Sequence, residues 1–312
     1  MKSDWEHSHS GVFTRDLENT VRYYQSLGLA PQIVPARSQS WEGHKVVNVE
    51  FGQMVHFGGD TRRPFLQLIY IGDLELEVLR APIERPKGEA LAYGEGCNHV
   101  CFNVPDIDRE TDLLVKKGLR IIQDFHLDDV RLEDYLDTRE HGNMLLSLRP
   151  LQTQAVKAQK AGYGIVDWKY QGVGAVVKDI EKTVGYYRSM GIAEFRTQTL
   201  FDTSTIGDVR LYGESTKDVI KAKTRLMQIG PVIYELFEPV AGKGIYQESL
   251  NRRGEGIINL TFTVNDLDRE TGKLAEKGVS VIFSGKPQEG KAFAYLDTRK
   301  DGGDVMIKLV QR

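Results

Sequence analysis

Leu17, Val21, Tyr24 and Leu27 fall three or four positions apart, the spacing that puts apolar side chains on one face of a helix. Asp16 precedes them as an N-cap, Gly28 follows as a stop, and a short extended run at residues 11–14 leads in. Further on, Val100, Phe102 and Val104 alternate as in a half-buried strand. Asp106 then opens a second helix bearing Leu113 and Leu114, which Gly118 ends. Extended segments follow each helix, at residues 65–71, 74–79, 119–122 and 144–148. Each quarter of the chain therefore reads as a strand, a helix and about three strands.

The second half repeats the first in side chains as well as polarity. Residues 16–24, DLENTVRYY, are matched by 179–187, DIEKTVGYY, an offset of 163 (179 minus 16). Both segments run on to Ser-hydrophobic-Gly, as Ser26, Leu27, Gly28 and Ser189, Met190, Gly191. Residues 106–111, DIDRET, return as 266–271, DLDRET, and the YLDTR of 135–139 returns at 295–299. Internal repetition fixes an architecture before any single motif does. The expected fold is α+β, four βαβββ modules pairing into two domains at residues 1–150 and 170–312. Residues 151–169, rich in Gln, Ala and Lys, form the linker, in part helical. Residues 217–223 read as a charged surface loop inside the third module.

Composition narrows the partners. The 312 residues suit two domains of about 150. A net charge of −3 offers no field for a polyanion, which argues against nucleic acid or an anionic membrane surface. No apolar run approaches a membrane span, and the polar first ten residues lack a signal core, so the expectation is a cytoplasmic protein. Cys97 and Cys101 share one strand and read as reduced thiols on the face of His99. No phosphate loop, nucleophile elbow or paired-cysteine metal motif is present.

His9-Ser-Gly-Val-Phe-Thr-Arg-Asp, followed by Tyr23-Tyr24 and Gly28-Leu29, resembles the opening module of the vicinal oxygen chelate superfamily, most of all methylmalonyl-CoA epimerases and glyoxalase I. Residues 96–107, GCNHVCFNVPDI, resemble its second-module opening, and residues 76–79, LEVL, resemble the strand that carries a carboxylate or glutamine ligand. The resemblance covers nearly the whole chain and implies glyoxalase-like domains with curled mixed sheets. It implies a divalent metal held by His9, Glu77 and His99. The family's usual fourth ligand, a last-strand glutamate that often doubles as base, falls on Ser147. In the second half the matching positions hold Gly172, Glu235, Asn259 and Lys308, so that half is expected to hold no metal. Four-module dioxygenases of the superfamily have their silent domain N-terminal, so the order here is reversed.

Two imidazoles and a carboxylate suit Zn, Mn, Co, Ni or Fe(II) better than Ca or Mg. Taken singly, His9 reads as a solvated terminal residue with His7 beside it, His99 as a core histidine and Glu77 as a solvent-facing strand residue alongside Glu75. Together, at the family's ligand positions, they read as a metal site. Glu50, on the alternating run 46–51, is the candidate catalytic base in place of the lost glutamate, with a solvent-facing edge position as its plain alternative. His126, His141, Tyr135 and Arg139 lie near the second module's last strands. Recurrence of YLDTR in the silent half favours structural roles for Tyr135 and Arg139.

Three functions follow. The first is a metal-dependent isomerase or lyase of the glyoxalase/epimerase type, acting on a small substrate with chelating oxygens through an enolate-like intermediate. The second is an Fe(II) extradiol-type ring-cleaving dioxygenase. The third is a non-enzymatic small-molecule binding protein of the bleomycin-resistance kind. A homodimer is compatible with each, and fold alone does not choose among them.

Overall fold

The computed structural model describes residues 2, 4–32, 44–49, 66–80, 95–127, 129–216, 218–287 and 290–312. Glu50 lies outside them. In the first half, β1 (Glu6–Thr14), α1 (Leu17–Ser26), β2 (His44–Val49), β3 (Leu66–Ile71) and β4 (Leu74–Arg80) make one module. β5 (Gly96–Val104), α2 (Ile107–Lys116), β6 (Ile121–Leu127), β7 (Val130–Leu136) and β8 (Leu145–Pro150) make the next. Among the described residues they form one sheet, ordered β2-β6-β7-β8-β5-β1-β4-β3. α3 (Gln154–Ala161) follows. The third module is β9 (Lys169–Val176), α4 (Ile180–Met190), the short β10 (Glu194–Phe195) and β11 (Thr199–Asp202), β12 (Ile206–Leu211), β13 (Glu214–Ser215), β14 (Lys221–Ile229) and β15 (Val232–Ala241). α5 (Ile245–Arg253) leads to the fourth, β16 (Gly256–Val264), α6 (Leu267–Ala275), β17 (Val281–Pro287), β18 (Phe293–Leu296) and β19 (Met306–Gln311). The second sheet repeats the first in the order β10-β14-β15-β9-β16-β19-β18-β17-β12-β13.

Both sheets are mixed. Within each module the first strand pairs in parallel with the last, β1 with β4 and β5 with β8, while β1 and β5 pair antiparallel across the module boundary. β9 and β16 form the same seam in the second half, so modules pair within each half. Four helices begin alike. The aspartates Asp16, Asp106, Asp179 and Asp266 each accept a 2.9 Å bond from the backbone N–H three residues on. Each such cap contributes about 1 kcal/mol. The recurrent YLDTR is a turn clasp. Thr138 Oγ1 donates to Met144 O and Thr298 Oγ1 to Val305 O, while Arg139 and Arg299 each fork onto the aspartate two residues before.

The two halves share one apolar core. Trp5 and Trp168, again 163 apart (168 minus 5), stand just before β1 and β9. Each backs onto the tight β-turn of the other half, at Gly230 and Gly72. Both glycines have positive φ, +51° and +58°. Lys117 Nζ donates to Met190 O at 2.6 Å, and Lys277 Nζ to Leu27 O at 2.7 Å, closing the same pseudo-twofold.

The structure departs from the sequence reading in three places. β1 starts at Glu6, five residues before the expected run at 11–14, because Ser8, His9 and Ser10 are buried between β4 and β5. A register shift at Gly11/Val12 turns Cys97 away from the His99 face and into the apolar core. The loop in the third module ends at Ile220, and Lys221 and Lys223 open β14 against Asp202 and Glu238. Among the described residues no helix is long and apolar enough to cross a membrane.

Candidate metal centre

Successive strand residues point to opposite faces, so every second side chain of β1, β4 and β5 faces the same side of the sheet. His9, Glu77 and His99 meet there, each essentially buried. His9 Nε2 lies 3.1 Å from His99 Nε2 and 3.3 Å from Glu77 Oε2, and His99 Nε2 lies 3.5 Å from the same oxygen. Ligand atoms about 2.0–2.2 Å from a tetrahedral or octahedral ion stand about 3.0–3.5 Å from one another. The triangle has that size. Glu77 Oε2 is buried and has no hydrogen-bond donor. His99 Nδ1 pairs with Asn98 Oδ1 at 2.8 Å, which puts the ring proton on Nδ1 and leaves Nε2 bare toward Glu77. His9 Nδ1 faces Ser8 Oγ at 3.3 Å.

The electrostatics ask for a cation. Burial would raise Glu77, but His9, His99 and Arg149 hold its carboxyl well below the usual range. Burial would lower His9, but Cys101 and Glu77 outweigh it and raise it to about 10. Burial lowers His99. Without a metal, the cation that answers Glu77 is therefore a proton on His9. A divalent ion would replace it.

Glu133 and Arg149 belong to the same cluster and escaped the sequence reading. β7 buries its last four residues, and Glu133 and Tyr135 share the face toward the site. Tyr135 sits edge-on to His99, with ring centroids 5.1 Å apart. Arg149 Nη2 pairs with Glu133 Oε2 and stands 3.6 Å from Glu77 Oε1. Cys101 faces the site, its sulfur grouped with His9 and Glu133. Ser147 Oγ is buried and has no hydrogen-bond partner. The remaining candidates lie elsewhere. His126 pairs with Asp124 at 3.3 Å, His141 stacks on Tyr186 at 3.5 Å, and Arg139 serves its turn. His7 is no tail residue but stacks on Tyr170, and Glu75 is buried against Lys160 and Tyr70. Both line a cavity of about 360 Å³ beneath α3.

The second half answers the same problem differently. Glu235 is paired with Lys308 Nζ, which lies over the rings of Phe237, Phe293 and Tyr295 at 5.3–5.8 Å. Phe201, Tyr246 and Phe283 fill the rest of that space. By register Lys308 occupies the place of Ser147, opposite Thr261 as Ser147 is opposite Cys101.

Residues 171–295 match a family model for the Glyoxalase/Bleomycin resistance protein/Dioxygenase superfamily. The chain is 26% identical to the uncharacterized protein YqjC of Bacillus subtilis (strain 168) over 126 residues, 39% of this chain and 89% of that protein. A mutant of 4-hydroxymandelate synthase from Streptomyces coelicolor superposes with a TM-score of 0.64 at 13% identity, covering 99% of this chain and 93% of the other. Methylmalonyl-CoA epimerase from Mycobacterium tuberculosis matches at 20% identity and a TM-score of 0.36 over 46% of this chain and 87% of that one. Residues 171–295 thus resemble the Glyoxalase/Bleomycin resistance protein/Dioxygenase superfamily, and the chain as a whole has a fold similar to that of 4-hydroxymandelate synthase, laid out in two successive mixed sheets.

Proposed function

We propose that the chain is a divalent-metal-dependent enzyme of the glyoxalase/epimerase type, acting on a small molecule with neighbouring oxygens through an enolate-like intermediate, with His9, Glu77 and His99 as the metal ligands. The observation that carries this reading is the buried triangle of His9 Nε2, His99 Nε2 and Glu77 Oε2, with 3.1–3.5 Å edges and an undonated carboxylate oxygen. A buried polar atom left without a partner costs about 1–3 kcal/mol, and more when charged. A bound ion removes that cost. The second half supports the reading from within the same chain: where Glu235 keeps the position of Glu77, a lysine supplies the cation.

When bound, the ion acts as a Lewis acid that polarises a substrate carbonyl and stabilises the negative charge of the enolate. The chain's residues do the rest. Asn98 orients His99, Arg149 offsets the charge of the two carboxylates, and the Ser147 hydroxyl can donate to a substrate oxygen. Tyr135, Phe125 and Leu145 make one wall apolar, which keeps the local dielectric low. Glu50 remains the candidate base carried by the sequence.

The same donor set also suits Fe(II), so a ring-cleaving dioxygenase is the second reading. Metal content by mass spectrometry, on wild type beside a His9→Ala/His99→Ala variant, tests both. Near one equivalent of transition metal in wild type, absent from the variant, is the expected result. The identity of the ion ranks the two readings. No uptake after anaerobic reconstitution with Fe, Mn, Co, Ni and Zn defeats both and leaves a metal-free binding protein.

A further inference from the structure

We infer that Glu133, delivered by β7, is the second carboxylate ligand of this centre and takes over the position that β8 leaves empty at Ser147. The inference rests on the metal reading of His9, Glu77 and His99. Two carboxylate oxygens in the cluster are buried with no hydrogen-bond donor, Glu77 Oε2 and Glu133 Oε1. Both face His9 Nε2, at 3.3 and 3.9 Å. Their other oxygens share one guanidinium, since Arg149 Nη2 pairs with Glu133 Oε2 and stands 3.6 Å from Glu77 Oε1. Arg149 therefore holds each carboxylate by one oxygen and leaves the other turned toward the imidazoles. The two remaining oxygens converge on His9 Nε2, the place where a bound ion would take over from a proton on that imidazole.

The register explains how a neighbouring strand can substitute. Tyr135 is opposite Ser147 across β7 and β8, so Glu133 lies two residues along β7 on the same face. A glutamate reaches from there to the space that a β8 glutamate would have filled. The second half gives an internal control. Its counterparts of Glu133 and Arg149 are the cross-strand pair Phe293 and Val310. The half that lacks both histidines lacks this acid and its arginine too.

The test is titration of the metal-stripped full chain with Co(II), followed by calorimetry and by the visible spectrum of the bound ion. Wild type is expected to bind one ion. Glu133→Gln should weaken binding by at least about 10-fold and change the spectrum. Glu133→Gln/Arg149→Met, which removes both charges together, should do the same with its melting temperature kept. Glu133→Ala/Ser147→Glu should restore affinity by returning the carboxylate to β8. Wild-type affinity in both Glu133→Gln variants, or weaker binding with an unchanged spectrum, overturns the inference while leaving the three-ligand site standing. No Co(II) uptake by wild type sinks the metal reading itself and this inference with it.

Discussion

Gly11 shows how finely the centre is built. It is the cross-strand partner of His99, and a Cβ there would lie 1.8 Å from His99 Cε1 and 2.6 Å from Nε2. Only a hydrogen fits. Gly11→Ala is expected to push the imidazole aside and lower metal affinity by about 10–100-fold, as loss of ligand orientation does. Gly174→Ala, where a Cβ would meet Asn259 Oδ1 at 2.1 Å, is the control, destabilising without touching metal content. Ser147→Lys carries the second half's solution into the first. Its ammonium should neutralise Glu77 as Lys308 does Glu235, so metal uptake should vanish while the melting temperature holds or rises. A variant that keeps one equivalent of metal would show that Ser147 does not adjoin the ion. Asp134 gives a pH signature. Burial raises its pKa to about 6, from 3.8, against the pull of Thr111 and Arg131. A folded pKa above the unfolded one means the native state binds the proton more tightly. Asp134 thus contributes stability that is fully present below about pH 4 and lost as pH rises through about 6, a difference of at most about 3 kcal/mol. Asp134→Asn should flatten the urea-midpoint profile between those values, and an unchanged profile would acquit the residue. The convergence of His9, Glu77 and His99 was legible because three ordinary residues stood at one family's spacing. Glu133 and Arg149 were not, because VRLEDYL alternates charge with apolar residues on both faces and no local pattern says which face is dry.

Among the elements, the helices were readable and the strand ends were not. Aspartate caps and glycine stops are local chemistry, and all four module helices begin one residue after the aspartate. The start of β1 depends on what lies beside it. Polar Ser8, His9 and Ser10 read as tail until two neighbouring strands bury them. The bulge that sends Cys97 into the core is likewise set by pairing, since one extra residue reverses every side chain beyond it. The tight turns at Gly72 and Gly230 carry a measurable burden. Each needs positive φ, and each supports the opposite half's tryptophan. Alanine at Gly72 would bring a Cβ to 2.3 Å from the Trp168 carbonyl oxygen, while at Gly230 the closest approach to Trp5 is 3.1 Å. Gly72→Ala should therefore cost about 2–3 kcal/mol and Gly230→Ala about 1 kcal/mol. Chemical denaturation of the two variants orders them, and equal losses would mean the turns yield rather than clash.

At the scale of the whole molecule, the repeat foretold the number of modules but not how they lean on each other. Self-similarity reports what each copy is, whereas the pseudo-twofold arises from Trp5, Trp168, Lys117 and Lys277 meeting partners about 70 to 250 positions away. The consequence is thermodynamic. One apolar cluster takes in both tryptophans, helices α1, α2, α4 and α6 and strands of both sheets, so neither half can unfold without exposing the other's core. The candidate metal site, by contrast, lies wholly in the first half. A ligand that binds only the native state stabilises it by about 2.7 kcal/mol at a hundred times its dissociation constant. If the halves are one cooperative unit, that gain must appear in both. Thermal unfolding should then be a single transition, with tryptophan fluorescence and far-ultraviolet dichroism coincident, and added metal should move the whole of it upward. Two transitions, of which metal shifts only the first, would show instead that the shared core is too weak to couple the halves and that the second sheet stands as an independent body beside the site.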